Sequence, residues 1–238
     1  MSGHSKWSTI KRQKGVVDAK RSQIFTKLSK ALSAAARLGI DPEMNFKLRL
    51  AIDKARNANM PKENIDRAIK KGAGQEDGAN VEEVIYEGYG PNGVAFLIET
   101  LTDNRNRTTA NLRHLLDKHG GRLADNGSVA WMFEPKSLIT VNKPTTNQEE
   151  IELKLIEAGA EEIEEMENEF LITAPSNQLE IIKQVCQTNQ LIISYSSVEP
   201  VANNNVPIPD KNDSDKLDSL REALNNDDDV TNTYDNAT

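Results

Sequence analysis

Residues 137–197 read SLITVNKPTTNQEEIELKLIEAGAEEIEEMENEFLITAPSNQLEIIKQVCQTNQLIISYSS, and the periodicity of their apolar positions sets the fold class. Leu138 to Val141 predicts a strand and Glu149 to Ala158 a helix. Glu161 to Glu165 and Glu169 to Thr173 predict two more strands, Leu179 to Thr188 a helix, and Leu191 to Ser197 a last strand. Short apolar runs mark the strands, and spacing near 3.6 marks the helices. The order β-α-β-β-α-β is that of a ferredoxin-like module. Glu161, Glu162, Glu164, Glu165, Glu167 and Glu169 crowd its hairpin. Acids there discourage pairing of a sheet edge. A catalytic carboxylate pair would instead need two acids held in a pocket.

Working outward, the segment before Ser137 predicts strands at Val84 to Tyr89, Val94 to Leu101 and Val129 to Phe133, the last containing Trp131. Ala110, Leu112, Leu115 and Leu116 predict one helix, stopped at Gly120-Gly121. Gly88 to Gly93 fits G-x-G-x-x-G, but that pattern cradles a pyrophosphate only between a strand and a helix. Here a strand follows and Pro91-Asn92-Gly93 is turn chemistry, so a hairpin is expected. Beyond the linker 201–212, Leu217, Leu220 and Leu224 predict a helix and Val230 to Tyr234 a strand. These two elements would complete the domain left short before Ser137.

The N-terminal part is helical. Ile24, Leu28, Ala31, Leu32, Ala35 and Leu38 make one stripe, with Asp18 as a cap and Gly39 as a stop. A second helix is expected to open at Asp41-Pro42-Glu43, with Met44, Leu48, Ala51, Ile52 and Ala55 inward. A third opens at Pro61 and runs to Gly72, with Ile65, Ala68 and Ile69 inward. The expected fold is α+β and multidomain. A three-helix bundle with a basic arm fills 1–75, a second α/β sandwich domain fills 76–136 and 201–238, and the ferredoxin-like domain 137–200 is inserted in the second.

The formal charge of −8 conceals a split. Residues 1–75 hold 17 Lys+Arg against 6 Asp+Glu, a balance of +11, while 76–136, 137–200 and 201–238 carry −4, −9 and −6. A basic head on an acidic body suggests a polyanion partner at one end. On the third helix Asn64, Arg67 and Lys71 fall at i, i+3 and i+7, flanked by Lys62 and Lys70. That face suits phosphate contacts, and equally suits solubility. In the arm, Lys6, Lys11, Arg12 and Lys14 surround Trp7, and Lys20 and Arg21 extend the basic run into the first helix. The indole could stack on a base or anchor on the bundle. Arg105 and Arg107 lie at a helix N-terminus, whose free N–H groups attract anions. The alternative is that Asn106 or Thr108 caps while both arginines pair with acids of their own domain. On the second helix, Arg49, Asp53 and Arg56 have ion-pair spacing.

No catalytic constellation is assembled. His114 and His119 are five apart, off a common helix face, so no metal is expected, and His4 stands alone. The single cysteine, Cys186, lies in an apolar helix and excludes a disulfide framework. No Walker loop, nucleophile elbow or zincin motif occurs, and no cofactor, enzyme activity or small-molecule substrate is expected. No apolar run approaches the roughly 20 residues needed to span a bilayer, and the N-terminus lacks a secretory signal, so a cytoplasmic protein without a membrane partner is expected.

GHSKW, IKRQK, DAKRSQIFTKLSK, DPEMNFKLRLAIDKA, NMPKENIDRAIKKG, YEGYGPNGVA, TDNRNRT and GSVAWMF stand in this order. Together they resemble the YebC/PmpR family over nearly the whole chain. The resemblance implies a helical N-terminal domain and two α/β domains, the third inserted in the second. Bacterial members are generally labelled DNA-binding transcriptional regulators. Others, including a mitochondrial translational activator of cytochrome oxidase subunit I, act on the ribosome, and some bacterial members are linked to relief of stalling at proline runs. Mitochondrial members are expected to carry a presequence before GHSKW, which here stands at residues 3–7, so a bacterial member is expected. The expected partner is therefore a nucleic acid, DNA or ribosomal RNA, with the ribosome as a further expected partner.

Overall fold

The computed structural model describes residues 21–75, 81–144, 147–208 and 210–238. In chain order the elements are α1 (Arg21–Ala36), α2 (Phe46–Asn57), α3 (Lys62–Gly72), β1 (Glu82–Tyr89), β2 (Ala95–Thr102), α4 (Arg105–Lys118), β3 (Arg122–Ala124), β4 (Phe133–Asn142), α5 (Gln148–Glu157), β5 (Glu162–Glu165), β6 (Glu169–Pro175), α6 (Leu179–Thr188), β7 (Ile193–Ala202), α7 (Lys211–Asn225) and β8 (Val230–Asp235). The chain is α+β, with two antiparallel four-stranded sheets. It divides into two compact units: the described parts of Gly15–Ala130 with Pro207–Asp235, and Trp131–Val206 with Asn236–Thr238.

The first unit holds the helical head and one sheet. Leu32, Ala35, Leu48, Ile52, Ala55, Ile65 and Ala68 bury the seam of α1, α2 and α3. Helices α1 and α3 approach closely at Gly72, where an added Cβ would lie 2.1 Å from the Ser33 carbonyl oxygen. Ser33 Oγ donates to the Ala68 carbonyl at 2.8 Å in the same crossing. The sheet has the order β3-β1-β2-β8, so the C-terminal strand returns to pair with β2. Buried Leu112 and Leu116 of α4 and Leu217, Leu220 and Leu224 of α7 supply the helical layer of this unit.

The glycine-rich hairpin is a packing device. Gly90 N–H donates to the Val94 carbonyl at 2.7 Å, closing the turn between β1 and β2. A Cβ at Gly90 would sit 2.6 Å from the Phe96 ring. Strand β2 follows, so the loop has no helix N-terminus to offer a pyrophosphate.

The second unit is β-α-β-β-α-β, with sheet order β5-β6-β4-β7. Ile151, Leu155, Ile182 and Cys186 of the two helices bury one face of the sheet against Ile139, Val141, Phe170 and Ile172. Cys186 is inert packing: burial pushes its thiol up to about 11.

Three expectations are corrected. The second head helix opens at Phe46, not Asp41, because Asn45 caps it and residues 42–44 form a turn. Met44 falls in that turn and Leu38 lies past the end of α1 at Ala36, so both leave the inward stripes and are 87% and 70% exposed. Val129 to Phe133 is not a strand of the first sheet. A 3₁₀ turn occupies Ala130–Met132, and the third strand of that sheet is Arg122–Ala124. The cause is Glu87, whose buried carboxylate accepts the N–H groups of Gly127, Val129 and Ala130 at 2.6, 2.6 and 2.9 Å. Those donors cannot serve a strand ladder.

Candidate nucleic-acid interface

Helix α3 brings together the three residues read as one face. Ile65 and Ala68 turn inward, Arg67 is exposed, and Asn64 and Lys71 are half-buried. Lys62 and Lys70 are exposed beside them. Glu63 in the first turn and Lys70 and Lys71 in the last both suit the helix dipole. The C-terminal lysines thus stabilise the helix as well as charging its surface. Among the described residues none of Lys62, Arg67, Lys70 and Lys71 has a carboxylate partner.

The N-terminus of α4 is arranged differently. Asn104 caps it, accepting the Arg107 N–H at 3.1 Å. Arg105 reaches Glu82 at 2.7 Å on the surface. The Arg107 guanidinium reaches Asp103 at 2.8 Å and Asp229 at 3.0 Å. Thr108 Oγ1 donates to Asp229 at 2.7 Å, and Lys30 of α1 also binds that carboxylate. Asp229 is only 3% exposed. Burial would raise its carboxyl, but the hydrogen bonds from Lys30, Thr108 and Arg107 outweigh burial and hold it below the ordinary carboxylate range. The anion gathered at this helix start is therefore the chain's own.

Lys27 joins the same junction, donating to the Asn225 carbonyl at 2.6 Å, and Lys30 donates to the Asp228 carbonyl at 2.8 Å. Burial lowers the Lys27 ammonium, against the opposing pull of Asp227 and Asp228. A polar cleft of about 570 Å³ lies here, lined by residues including Gln23, Thr26, Lys30, Arg107, Asn111 and Asp229. Sequence reading missed Lys27, Lys30 and Asp229. The only available signal was the run Asp227-Asp228-Asp229, since the partners of Asp229 lie between 121 and 199 residues away.

Lys6, Trp7, Lys11, Arg12, Lys14 and Lys20 lie outside the described residues, and the Arg21 side chain is likewise not described. Of the expected helical ion pairs, Arg56 lies 3.9 Å from Asp53, while Arg49 instead stacks over Phe46. His119 Nδ1 is bonded to the Leu115 carbonyl oxygen, and His114 is exposed. Among the described residues no group of three or more His, Cys, Asp or Glu is placed to hold a metal ion. Among them, too, no helix is long and apolar enough to cross a membrane.

A family model described as the TACO1/YebC protein N-terminal domain matches residues 5–75, and one described as the TACO1/YebC second and third domain matches residues 81–237. A probable transcriptional regulatory protein of Desulfotalea psychrophila is 47% identical over 237 residues, covering 99% of this chain and 95% of its own. One of Moorella thermoacetica is 46% identical, covering 100% of this chain and 95% of its own. The crystal structure of a conserved hypothetical protein from Aquifex aeolicus superposes with a TM-score of 0.76 at 42% identity, covering 93% of this chain and 92% of that one.

Proposed function

This chain belongs to the TACO1/YebC family, and on that premise we propose that it is a nucleic-acid-binding regulator of gene expression that works through its basic N-terminal domain. The observation that carries the reading is the α3 face. Arg67 and Lys71, with Lys62 and Lys70, are cations that no carboxylate of the described chain neutralises. Unpaired cations on one rigid helix are available to phosphates, and displaced counterions would drive binding. Asn64 beside them offers a neutral donor and acceptor for a base edge or sugar. The basic arm, with Lys6, Trp7, Lys11, Arg12 and Lys14, would add charge and one stacking ring. In this reading the protein has three domains, the second interrupted by the third, and acts in the cytoplasm without catalysing a reaction.

The relatives are named probable transcriptional regulatory proteins, which favours a role in transcription, where the partner would be DNA. The charge split favours a second reading, a ribosome-associated translation factor contacting ribosomal RNA and relieving stalling at proline-rich sequences. Residues 76–238 sum to −19, which repels an extended duplex but leaves a +11 head free to enter an RNA cleft. Crosslinking and sequencing of bound nucleic acid from cells, with ribosome sedimentation on the same lysate, separates the two. Promoter DNA selects the transcription role, and ribosomal RNA with ribosome co-sedimentation selects the translation role. Recovery of neither defeats both.

A further inference from the structure

Five large apolar side chains crowd the α1–α2 turn and the outer side of α2: Leu38, Ile40, Met44, Phe46 and Leu50, between 44% and 87% exposed. Single exposed apolar groups are ordinary, whereas five along residues 38–50, on one turn and the helix face that follows it, point to a contact surface. The turn that carries them is fixed from beneath by Asn45, which is buried. Its side-chain amide donates to the Ala35 and Gly39 carbonyls at 2.8 and 2.7 Å, and its oxygen accepts the Leu48 N–H at 3.1 Å. Leu48, Ala51, Ile52 and Ala55 bury the opposite face of α2. The cluster is thus held outward by a rigid support, and a preformed surface loses little entropy on binding.

Charge indicates what the surface fits. Lys47, Arg49, Lys54 and Arg56 ride on α2 with Asp53 alone among acids, while Asp41 and Glu43 lie in the turn before it. Lys47 is loosely paired with Glu83 at 3.7 Å, and Arg56 with Asp53 at 3.9 Å. The Arg49 guanidinium lies over one face of the Phe46 ring, 5.4 Å from its centroid. An exposed aromatic ring backed by a planar cation, with further cations along the same helix, suits a base on the ring and phosphates on the cations. A purely apolar protein groove would use the side chains but leave Arg49 and Lys54 unmatched, whereas a nucleic acid supplies a ring surface and anions together.

We propose that the Met44–Phe46–Leu50 tip is a stacking site for unpaired nucleobases, with Arg49 and Lys54 on the adjoining phosphates. This rests on the nucleic-acid reading above and gives it a second surface, apart from the α3 cations. The test uses the full chain and a short uridine-rich single strand, beside the same strand made abasic. Phe46→Ala should weaken binding to the intact strand about tenfold, as loss of one stacked base predicts. Phe46→Trp should keep it. The abasic strand should bind wild type and Phe46→Ala equally weakly. Thermal unfolding of Phe46→Ala should stay at the wild-type midpoint, since the ring is mostly exposed. Wild-type affinity in Phe46→Ala overturns the stacking site and leaves the patch to a protein partner. If Arg67→Glu/Lys71→Glu abolishes binding in the same assay, the nucleic-acid reading survives that failure. If wild type binds no nucleic acid, both readings fall.

Discussion

Arg67 on α3 and Arg107 on α4 are both exposed arginines of the first compact unit. Arg67 has no carboxylate partner among the described residues, while Arg107 bridges Asp103 and Asp229. The difference is not one of residue type or local sequence. It comes from where the fold delivers a carboxylate. Asp229, 122 residues downstream of Arg107, is carried back by the pairing of β8 with β2 and is buried against Thr108 and Lys30. Cations on the head therefore divide into two populations. Lys27 and Lys30 tie α1 to the loop before β8, and the α3 cations remain free of such ties. A charge count of +11 on the first 75 residues does not distinguish them.

The largest expected effect comes from removing the shared carboxylate. Asp229→Ala leaves the half-buried Lys30 ammonium without its carboxylate and strips a partner from Arg107. Breaking a buried pair this way costs about 3–5 kcal/mol, and the half-exposed Arg107 places this case at the lower end. Urea unfolding should show the loss, and a wild-type midpoint would refute the clasp. On the other side of the comparison, Arg67→Glu/Lys71→Glu should leave stability within about 0.5 kcal/mol. It should weaken nucleic-acid binding and flatten its salt dependence by roughly two phosphate contacts in slope. The two variants should thus fail in different assays. A shared failure would erase the distinction between the populations.

A smaller effect concerns acid. The folded-state Asp229 carboxyl is held below its ordinary value, so its contribution to stability is fully present above about pH 4. That contribution is lost as the pH falls from there through the folded-state value. Asp229→Asn should remove this part of the acid-induced loss, narrowing the gap to wild type as the pH drops. Glu87 is also held low: its backbone hydrogen bonds outweigh the burial that would raise it. Some acid sensitivity should therefore persist in the variant. A gap that widens toward low pH would contradict the assignment.

How much of this was legible depends on the distance over which each feature is decided. The ferredoxin-like module was readable because each element carries its own period, and Leu179 to Thr188 coincides with α6. The ends of β4 and β7 were not. Their extra turns of ladder pair Phe133 with Ala202 and Pro135 with Pro200, and the segment FEPKS carries no apolar alternation of its own. The start of α2 differs from the sequence expectation because Asp41-Pro42-Glu43 is a good local opening. It loses to Asn45, whose bonds to Ala35 and Gly39 become possible only once α1 is in place. For the candidate site, the face of Asn64, Arg67 and Lys71 was legible from helical spacing alone. The engagement of Arg107 by Asp229 was not, because no local pattern reports a partner that distant.

Arg105 gives the mildest test of the comparison. It shares the α4 N-terminus with Arg107 and also meets a carboxylate, Glu82, at 2.7 Å, yet both partners are well exposed to solvent. Solvent and salt screen such a pair, and holding two long side chains in register offsets much of the attraction. Arg105→Ala should therefore leave the unfolding midpoint unchanged at physiological ionic strength. Arg107→Ala should lower it, because its partner Asp229 is buried and would lose a donor it cannot replace with bulk water. If the two alanine variants are equally stable, burial of the partner is not what separates a structural arginine from a surface one here, and the free α3 cations lose their contrast. If they differ as expected, Arg105 is left as the one cation at this helix start that a phosphate could claim without disturbing the junction of α1, α4 and β8.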